Sequence, residues 1–128
     1  MIKKFPLIKK IYEYVKEKYS TSPEFLWKKY PHNSVFRCSH NKKWYGVILT
    51  VKKEKLDFKS KDVTCILNIK IDDPVYLNFL LKKDSYFKAY HMNKNNWISI
   101  LLDGTVPLKD IKSLIDLSYN VVSEKKKR

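Results

Sequence analysis

The sequence predicts one α+β domain, residues 1–128, in which an antiparallel sheet packs against an N-terminal and a C-terminal helix. Apolar residues recur every three to four positions near both ends of the chain, as in amphipathic helices. In the middle they alternate with polar residues, as in strands, and short polar turns between the strands favour antiparallel hairpins. A chain of 128 residues, 44% of them hydrophobic, is long enough for one core.

The chain begins with an amphipathic helix. Its inward stripe is formed by Phe5, Ile8, Tyr12, Val15 and Tyr19. A second, short helix is expected to start at Ser22, because serine caps helices and Pro23 suits the first turn. Phe25, Leu26 and Trp27 would pack this helix against the core.

Three strands follow these helices. The first covers residues 35–38, and a polar turn over 39–42 joins it to a longer strand over 43–51. On that longer strand the period of two predicts one shared face for Tyr45, Val47, Leu49 and Val51. A polar, mostly basic loop spans 52–62, and the next strand spans 63–71. One face of this last strand carries Val63, Cys65, Leu67, Ile69 and Ile71.

Two further helices carry clear start signals. Asp73 is expected to cap a helix that Pro74 starts and that continues to about Lys82. Pro107 begins the last helix. Its inward stripe is formed by Ile111, Leu114, Ile115, Ser118, Tyr119 and Val122.

A second hairpin lies between these two helices. Its strands are predicted at 86–92 and 97–102, and a four-residue polar turn, 93–96, joins them. The predicted order is therefore helix, strands, helix, hairpin, helix, with the helices on one face of the sheet.

Charge is the property in which this chain departs most from an average protein. Lys and Arg total 27 against 13 Asp and Glu, a net charge of +14. Such an excess favours polyanionic partners and carries no information about the fold. We therefore expect a nucleic-acid partner, in the first place double-stranded DNA, with RNA left open. The plain alternative is that the charge only keeps the protein in solution.

The cysteines and the N-terminus indicate the compartment. The first 20 residues contain too many Lys and Glu residues for a signal peptide, and no apolar run approaches the length of a membrane span. The expected location is the cytosol, where Cys38 and Cys65 would both be reduced. We expect a monomer with no membrane partner.

The residues predict no catalytic site, no metal site and no cofactor. A Cys–His nucleophile would need Cys38 or Cys65 beside a histidine and an orienting group, and Cys65 is expected to be buried and unreactive. Cys38 and His40 offer two soft ligands, whereas zinc would need two more from distant segments. An enzyme that uses His91 and Tyr90 is kept as a third hypothesis.

The nucleic-acid hypothesis rests on the two hairpin tips. Lysine and arginine bind phosphates there, and asparagine can hydrogen-bond to base edges. The predicted binding residues are Arg37, Asn41, Lys42, Lys43, His91, Asn93, Lys94 and Asn96. Trp44 and Trp97 lie at the feet of the tips, where they either stack on bases or pack in the core.

Several segments of the chain resemble the YjbR/MmcQ family, and together they cover roughly residues 5–122. The most specific is AYHMNK with a tryptophan three residues on; the others are LDGTVP, LIDLSY, VFR and KWYG, at 89–97, 102–107, 114–119, 35–37 and 43–46. Lys88 stands where the family pattern has a proline before Ala89, which loosens the strand entry and adds a positive charge.

The resemblance implies a fold similar to CyaY/frataxin, with two hairpin wings proposed to bind DNA. Frataxin-like iron binding is disfavoured, because this basic chain lacks the acidic ridge that it would need. Our leading hypothesis is a non-catalytic double-wing DNA-binding module. Lys42, Lys43 and Lys94 would neutralise phosphates, and His91 would orient the second wing. The alternative is a protein-interaction or small-ligand domain whose basic surface is incidental.

Overall fold

The computed structural model of the chain describes residues 6–124, so Phe5 of the first stripe lies outside it. Three α-helices and five strands make up these residues. In chain order they are α1 (Pro6–Tyr19), β1 (Ser34–Arg37), β2 (Trp44–Lys52), a 3-10 turn (Lys53–Leu56), β3 (Val63–Lys70), α2 (Pro74–Leu81), β4 (Tyr86–Lys88), β5 (Trp97–Leu101) and α3 (Leu108–Ser123).

The five strands form one antiparallel sheet in the order β1-β2-β3-β5-β4. All three helices contribute to the main apolar cluster on one face of this sheet. Ile11 of α1, Leu80 of α2 and Ile115 of α3 meet inward side chains of the strands, such as Leu67 and Ile98. The predicted α+β class, with an antiparallel sheet packed against N- and C-terminal helices, is confirmed.

Local signals predicted most of these elements correctly. The Asp73 carboxylate accepts hydrogen bonds from the amides of Val75, at 2.9 Å, and Tyr76, at 3.3 Å, and so caps α2 as expected. Pro107 directly precedes α3. The buried residues of α3 are Ile111, Leu114, Ile115, Ser118 and Val122, which match the predicted stripe.

The short helix expected at Ser22 is wrong. Residues 20–33 contain no helix, and Glu24 instead forms an isolated antiparallel bridge with Val35 of β1. Both backbone hydrogen bonds of this bridge measure 3.0 Å, and they hold the chain extended along the free edge of β1. Phe25 and Leu26 are exposed rather than packed.

The predicted shared face of β2 is wrong at one residue, Tyr45. The register steps from Phe36 opposite Gly46 to Arg37 opposite Trp44, so Tyr45 is the extra residue of a β-bulge. The bulge turns Tyr45 toward the helices, whereas Val47 and the following odd-numbered residues lie on the other face. Gly46 is needed here, because a Cβ at this position would lie 2.5 Å from the Phe36 ring.

The second hairpin is shorter in its strands and longer in its tip than predicted. The strand β4 ends at Lys88, and residues 89–96 form the connection to β5. The backbone amide of Tyr90 does not bond to a backbone carbonyl of β5. It donates a hydrogen bond of 2.9 Å to the side-chain oxygen of Ser99. His91 then adopts a left-handed backbone with φ 64°. A side chain that competes for the backbone amide has therefore ended the strand.

The face of the sheet away from the helices carries a second, smaller apolar cluster. Its buried members are Val47, Leu49, Val51, Leu56, Ile66 and Leu101. Trp27, Trp44 and Tyr90 pack against this cluster as half-buried side chains. They come from the segment after α1, from the start of β2 and from the second tip. This face is therefore covered by loops and aromatic side chains rather than by a helix.

Candidate nucleic-acid interface

The two hairpin tips lie at the same end of the sheet. The strand β2 starts at Trp44, Val47 pairs with Asn68 near the end of β3, and Lys70 at that end pairs with Trp97 at the start of β5. The first tip, residues 38–43, and the second tip, residues 89–96, therefore project in one direction. Only β3 separates the nearer strands of the two hairpins, β2 and β5, which places the facing edges of the tips about 10 Å apart.

The first tip presents two lysines to solvent. Reciprocal backbone hydrogen bonds of 2.8 Å, Cys38 N to Lys43 O and Lys42 N to Cys38 O, close the turn. Both Lys42 and Lys43 are exposed, and Lys42 has a left-handed backbone with φ 64°.

Arg37 is not a free cation. Its Nε lies 3.0 Å from the Glu24 carboxylate, and its guanidinium also donates to the carbonyl of Lys42 at 3.3 Å. The same guanidinium lies 5.8 Å from the centre of the Trp44 ring. Arg37 thus braces the first tip and retains only part of its charge for a ligand.

Asn41 and His40 attach the first tip to the end of α3. The amide nitrogen of Asn41 donates to the carbonyl of Val122 at 2.9 Å, and its oxygen accepts from the amide of Lys43 at 3.0 Å. The Nε2 atom of His40 lies 3.0 Å from the carbonyl of Ser123. Helix C-termini leave such carbonyls without intrahelical partners, so both contacts cap α3.

The second tip is held from within the sheet. The Tyr90 carbonyl accepts a hydrogen bond of 3.0 Å from the side-chain NH₂ group of Asn68, and the Tyr90 backbone N–H donates to the Ser99 hydroxyl. The Ser99 hydroxyl in turn donates to the Asn68 oxygen, which closes a ring of hydrogen bonds. Asn68 and Ser99 are both fully buried. His91 follows Tyr90, is exposed, and its ring lies 4.0 Å from the Tyr90 ring centre to centre.

The polar side chains of the second tip divide into exposed and partly buried ones. Asn93 is exposed and accepts a hydrogen bond of 2.9 Å from the Asn95 amide, as in an Asx turn. Lys94 is exposed. Asn96 is half-buried, and its side-chain oxygen lacks a partner among the described residues. Its carbonyl accepts a hydrogen bond of 2.9 Å from Ile71.

The two tryptophans at the feet of the tips differ. Trp97 is 8% exposed, so it is a core residue and not a surface for stacking. Trp44 is half-buried and packs edge-to-face against Trp27 at 6.2 Å. Of the two predicted stacking residues, only Trp44 keeps an accessible ring.

Beside Trp44 lies a cleft that the sequence did not predict, which we call the aromatic cleft. Its volume is about 310 Å³, and its lining residues are Trp27, Tyr30, Asn33, Trp44, Val47, Leu49, Thr50, Tyr90, His91 and Met92. Trp27 lies in the segment that the sequence predicts as a helix and that does not form one, and Tyr30 and Asn33 belong to the turn that follows. A run of aromatic residues ahead of a hairpin is the signal that the sequence did contain.

No tip lysine is in an ion pair with a carboxylate of the described residues. The two ion pairs within residues 6–124 are Lys18–Asp116 and Arg37–Glu24. Asp72 and Asp73 are exposed at this end of the sheet, and the carboxylate of Asp73 accepts the hydrogen bonds of the α2 cap. The four basic residues 125–128 follow α3 in sequence and lie outside the described residues.

Cys38 and Cys65 are both free thiols, and both are buried. Burial raises the pKa of the Cys65 thiol to about 12, so it carries almost no thiolate at neutral pH. The sulfur of Cys38 lies 3.4 Å from Nδ1 of His40. Across the described residues, no group of three or more His, Cys, Asp or Glu side chains is placed to hold a metal ion. No helix in this part of the chain has the length and apolar character needed to cross a bilayer.

Comparison with known proteins places these tips and this sheet in a family. The sequence profile of YjbR matches residues 16–121 of the chain. The chain belongs to the YjbR family. The uncharacterized protein YyaQ of Bacillus subtilis (strain 168) is 41% identical over 111 residues, which cover 87% of this chain and 93% of YyaQ.

Solved structures share the architecture. A crystal structure of a Pseudomonas syringae protein superposes with a TM-score of 0.85 at 35% identity, covering 89% of this chain and 97% of that one. A solution NMR structure from Pseudomonas syringae gives 0.81 at 32% identity, with 94% and 98% covered. The Deinococcus radiodurans protein DR2400, which carries a DUF419 domain, gives 0.69 at 23% identity, with 92% and 79% covered, and shows the same fold.

Proposed function

We propose that the protein binds nucleic acid, in the first place double-stranded DNA, through phosphate contacts from its two hairpin tips. The observation that carries this proposal is the position of three exposed lysines. Lys42, Lys43 and Lys94 lie on two tips that project from the same end of the sheet, and none is in an ion pair within residues 6–124. Phosphate contacts of this kind supply most of the affinity of non-specific binding.

The spacing of the tips suits one duplex. Their facing edges, at β2 and β5, lie about 10 Å apart, since each neighbouring strand adds about 4.8 Å. The major groove of B-DNA is about 12 Å wide. The two tips can therefore reach phosphates of the two strands that flank a single groove, which gives the double-wing arrangement on a CyaY/frataxin-like sheet.

We assign different roles to the other predicted residues. Asn93 is exposed on the second tip and is available to a base edge or a phosphate, as is the His91 ring. Arg37 and Asn41 act mainly by shaping the first tip, because their polar atoms bond within the protein. The side-chain oxygen of Asn96 has no partner among residues 6–124, but the atom is buried, so we assign Asn96 no direct phosphate contact. We propose no reaction and no cofactor for this surface, and a monomer as its working form.

Fluorescence anisotropy with a labelled duplex across a salt series tests the proposal. The variant is Lys42→Glu combined with Lys94→Glu. The control is Lys59→Glu combined with Lys61→Glu, because these lysines are equally exposed but lie in the β2–β3 connection at the opposite end of the sheet. Both double variants change the net charge by the same amount.

We expect the tip variant to bind at least tenfold more weakly at about 50 mM salt and to lower the salt slope by about two, one for each lost phosphate contact. The control should stay close to the wild type. Equal affinities and slopes for the two variants would exclude the tips as the contact surface.

A further inference from the structure

We propose that the aromatic cleft receives the flat ring of an unpaired nucleobase while the tips hold the neighbouring phosphates. This inference rests on the proposed function, and it assigns a separate task to residues that phosphate binding does not use. The ligand chemistry is a planar heteroaromatic ring next to a phosphate. An unpaired base in a strand and a free mononucleotide both present it.

The size and lining of the cleft suit one ring system. Its volume of about 310 Å³ lies at the lower end of the range for ligand pockets, about 300–1,000 Å³. The side chains of Trp27, Trp44 and Tyr90 form aromatic walls over an aliphatic floor of Val47 and Leu49. Stacking on such walls is available to every base, because each base has a π-face.

Asn33 adds a polar group for orientation. Its side-chain oxygen accepts hydrogen bonds from the Thr50 amide, at 2.8 Å, and the Thr50 hydroxyl, at 3.1 Å. These two bonds settle which end of the amide is oxygen, so the NH₂ group is the end left for a ligand. That NH₂ group has no acceptor among the described residues, and Asn33 lines the cleft. Base edges carry ring-nitrogen and carbonyl acceptors that this donor can bind.

The charge around the cleft selects an anionic ligand over a cationic one. Aromatic-walled sites can also bind quaternary ammonium groups by cation–π attraction. Here no lining residue carries a carboxylate. The guanidinium of Arg37 already lies over the Trp44 ring, and exposed Lys43 directly precedes Trp44. Arg37 is paired with Glu24, so the free charge here is that of Lys43, which repels a second cation and attracts the phosphate beside a nucleobase.

The wall formed by the second tip is held in place before any ligand binds. The buried Asn68–Ser99 pair fixes both the N–H and the carbonyl of Tyr90. His91, the next residue, is held at φ 64°, a conformation that costs free energy for a side chain other than glycine. Strain of this kind is often kept where a side chain must be presented to a ligand.

The cleft also lies where a bound strand would pass. Trp44 directly follows Lys43 of the first tip, and Tyr90, His91 and Met92 belong to the second tip. A backbone held by the tip lysines therefore runs beside the opening of the cleft. Leaving the stack costs every base free energy, but it costs an unpaired base less than a paired one.

The experiment compares two duplexes of the same length and salt concentration, one fully paired and one with a single bulged adenine. Binding is measured by anisotropy and by tryptophan emission, since Trp27 and Trp44 line the cleft. The cleft variants are Tyr30→Ser and Trp27→Leu. The control is Phe79→Ser on α2, because Phe79 and Tyr30 are similarly exposed, at 56% and 50%.

We expect the bulged duplex to bind about tenfold more tightly than the paired one, as one base–aromatic stack would give, and to quench tryptophan emission. Tyr30→Ser and Trp27→Leu should remove this preference and leave binding to the paired duplex unchanged. Phe79→Ser should keep the preference. If a cleft variant fails to fold, the preference and the quenching in the wild type still decide the question.

Two further measurements, with adenosine monophosphate and with choline, distinguish a base in a strand from a free mononucleotide. They also test the cleft proposal separately from the proposed function. Adenosine monophosphate should quench the tryptophan emission and compete with the bulged adenine for the cleft, which removes the preference for the bulged duplex. Choline should do neither. Paired-duplex binding without any bulge preference or quenching would overturn the cleft proposal and leave the proposed function intact. Loss of all duplex binding would overturn the proposed function, and cleft-dependent quenching by the mononucleotide would then decide the cleft proposal alone. If choline displaced the bulged duplex or the mononucleotide from the cleft, the cleft proposal would be overturned.

Discussion

The first tip is attached to the outside of the domain, whereas the second is attached to its interior. Asn41 and His40 of the first tip bond to the last carbonyls of α3, where water can replace a lost partner. Tyr90 of the second tip bonds to Asn68 and Ser99, which are fully buried in the sheet. Both tips contain an Asn-Lys pair, at 41–42 and 93–94, but the contacts that hold them differ in burial.

The comparison teaches which part of each tip is free to act. On the first tip, Arg37 and Asn41 are used to hold the tip, and the free groups are Lys42 and Lys43. On the second tip the holding groups lie in the sheet, so His91 and the other exposed tip side chains remain free. The second tip therefore has more exposed polar side chains that are not used to hold it in place.

The largest effect is expected from breaking the interior attachment. Asn68→Ala should lower the free energy of unfolding by about 3 kcal/mol, because it leaves the Ser99 hydroxyl and the Tyr90 carbonyl without their partner in a buried setting. Urea unfolding followed by circular dichroism measures this change. Asn95→Ala on the same tip is the control, since Asn95 is exposed and its side chain makes no hydrogen bond to the described residues; it should change stability by less than about 0.5 kcal/mol. A small effect of Asn68→Ala would show that the ring of hydrogen bonds does not hold the second tip.

A smaller effect is expected from breaking the exterior attachment. Asn41→Ala should cost about 1 kcal/mol, because the carbonyl of Val122 and the amide of Lys43 can both turn to water. The same unfolding measurement applies, and hydrogen exchange should increase at residues 38–43 while residues 89–96 stay protected. A loss as large as that of Asn68→Ala would contradict the distinction between the two tips.

The smallest expected effect is a change of stability at acid pH. It should distinguish the attachment of the first tip, which depends on α3, from the attachment of the second tip inside the sheet. The first tip depends on α3, and Asp116 ties α3 to α1 through Tyr14, Tyr19 and Lys18, with oxygen–oxygen and nitrogen–oxygen distances of 2.5–2.9 Å. Burial alone would raise the pKa of Asp116, but the hydrogen bonds from these three groups outweigh burial and hold its pKa below the ordinary value.

A carboxyl with a lowered folded-state pKa stabilises the fold above its unfolded pKa, about 3.9, and loses this contribution as the pH falls through the folded value. The stability difference between the wild type and Asp116→Asn should therefore be present at pH 7 and shrink below about pH 4. The deficit of Asn68→Ala should not change in the same way, because neither Asn68 nor Ser99 titrates. Urea unfolding at a series of pH values from 7 to 3 makes the comparison. If the loss of unfolding free energy in Asp116→Asn stayed constant with pH, it would contradict the stabilising role of the ionised Asp116 carboxylate.

Sequence reasoning succeeded where the signal lies within a few neighbouring residues. The period of Val15 and its partners predicted α1, and Asp73-Pro74 predicted the start of α2. It failed where a distant group took over a backbone hydrogen bond. Glu24 is extended because β1 offers a free edge, and β4 ends early because Ser99 binds the Tyr90 amide. The same failures hid the aromatic cleft, because these two misassigned segments form its walls on either side of β2 residues.

The sequence by itself determined the α+β class, the capped start of α2, the excess of positive charge and the resemblance to the YjbR family. These depend on local periodicity, on side chains next to the backbone they cap, and on composition, none of which needs a distant partner. Only the tertiary structure decided that both tips leave the same end of the sheet, that Trp97 is buried while Trp44 is not, and that an aromatic cleft opens beside the tips. Those properties depend on strand order, on a one-residue bulge and on buried hydrogen bonds between residues far apart in the chain, which no local pattern specifies.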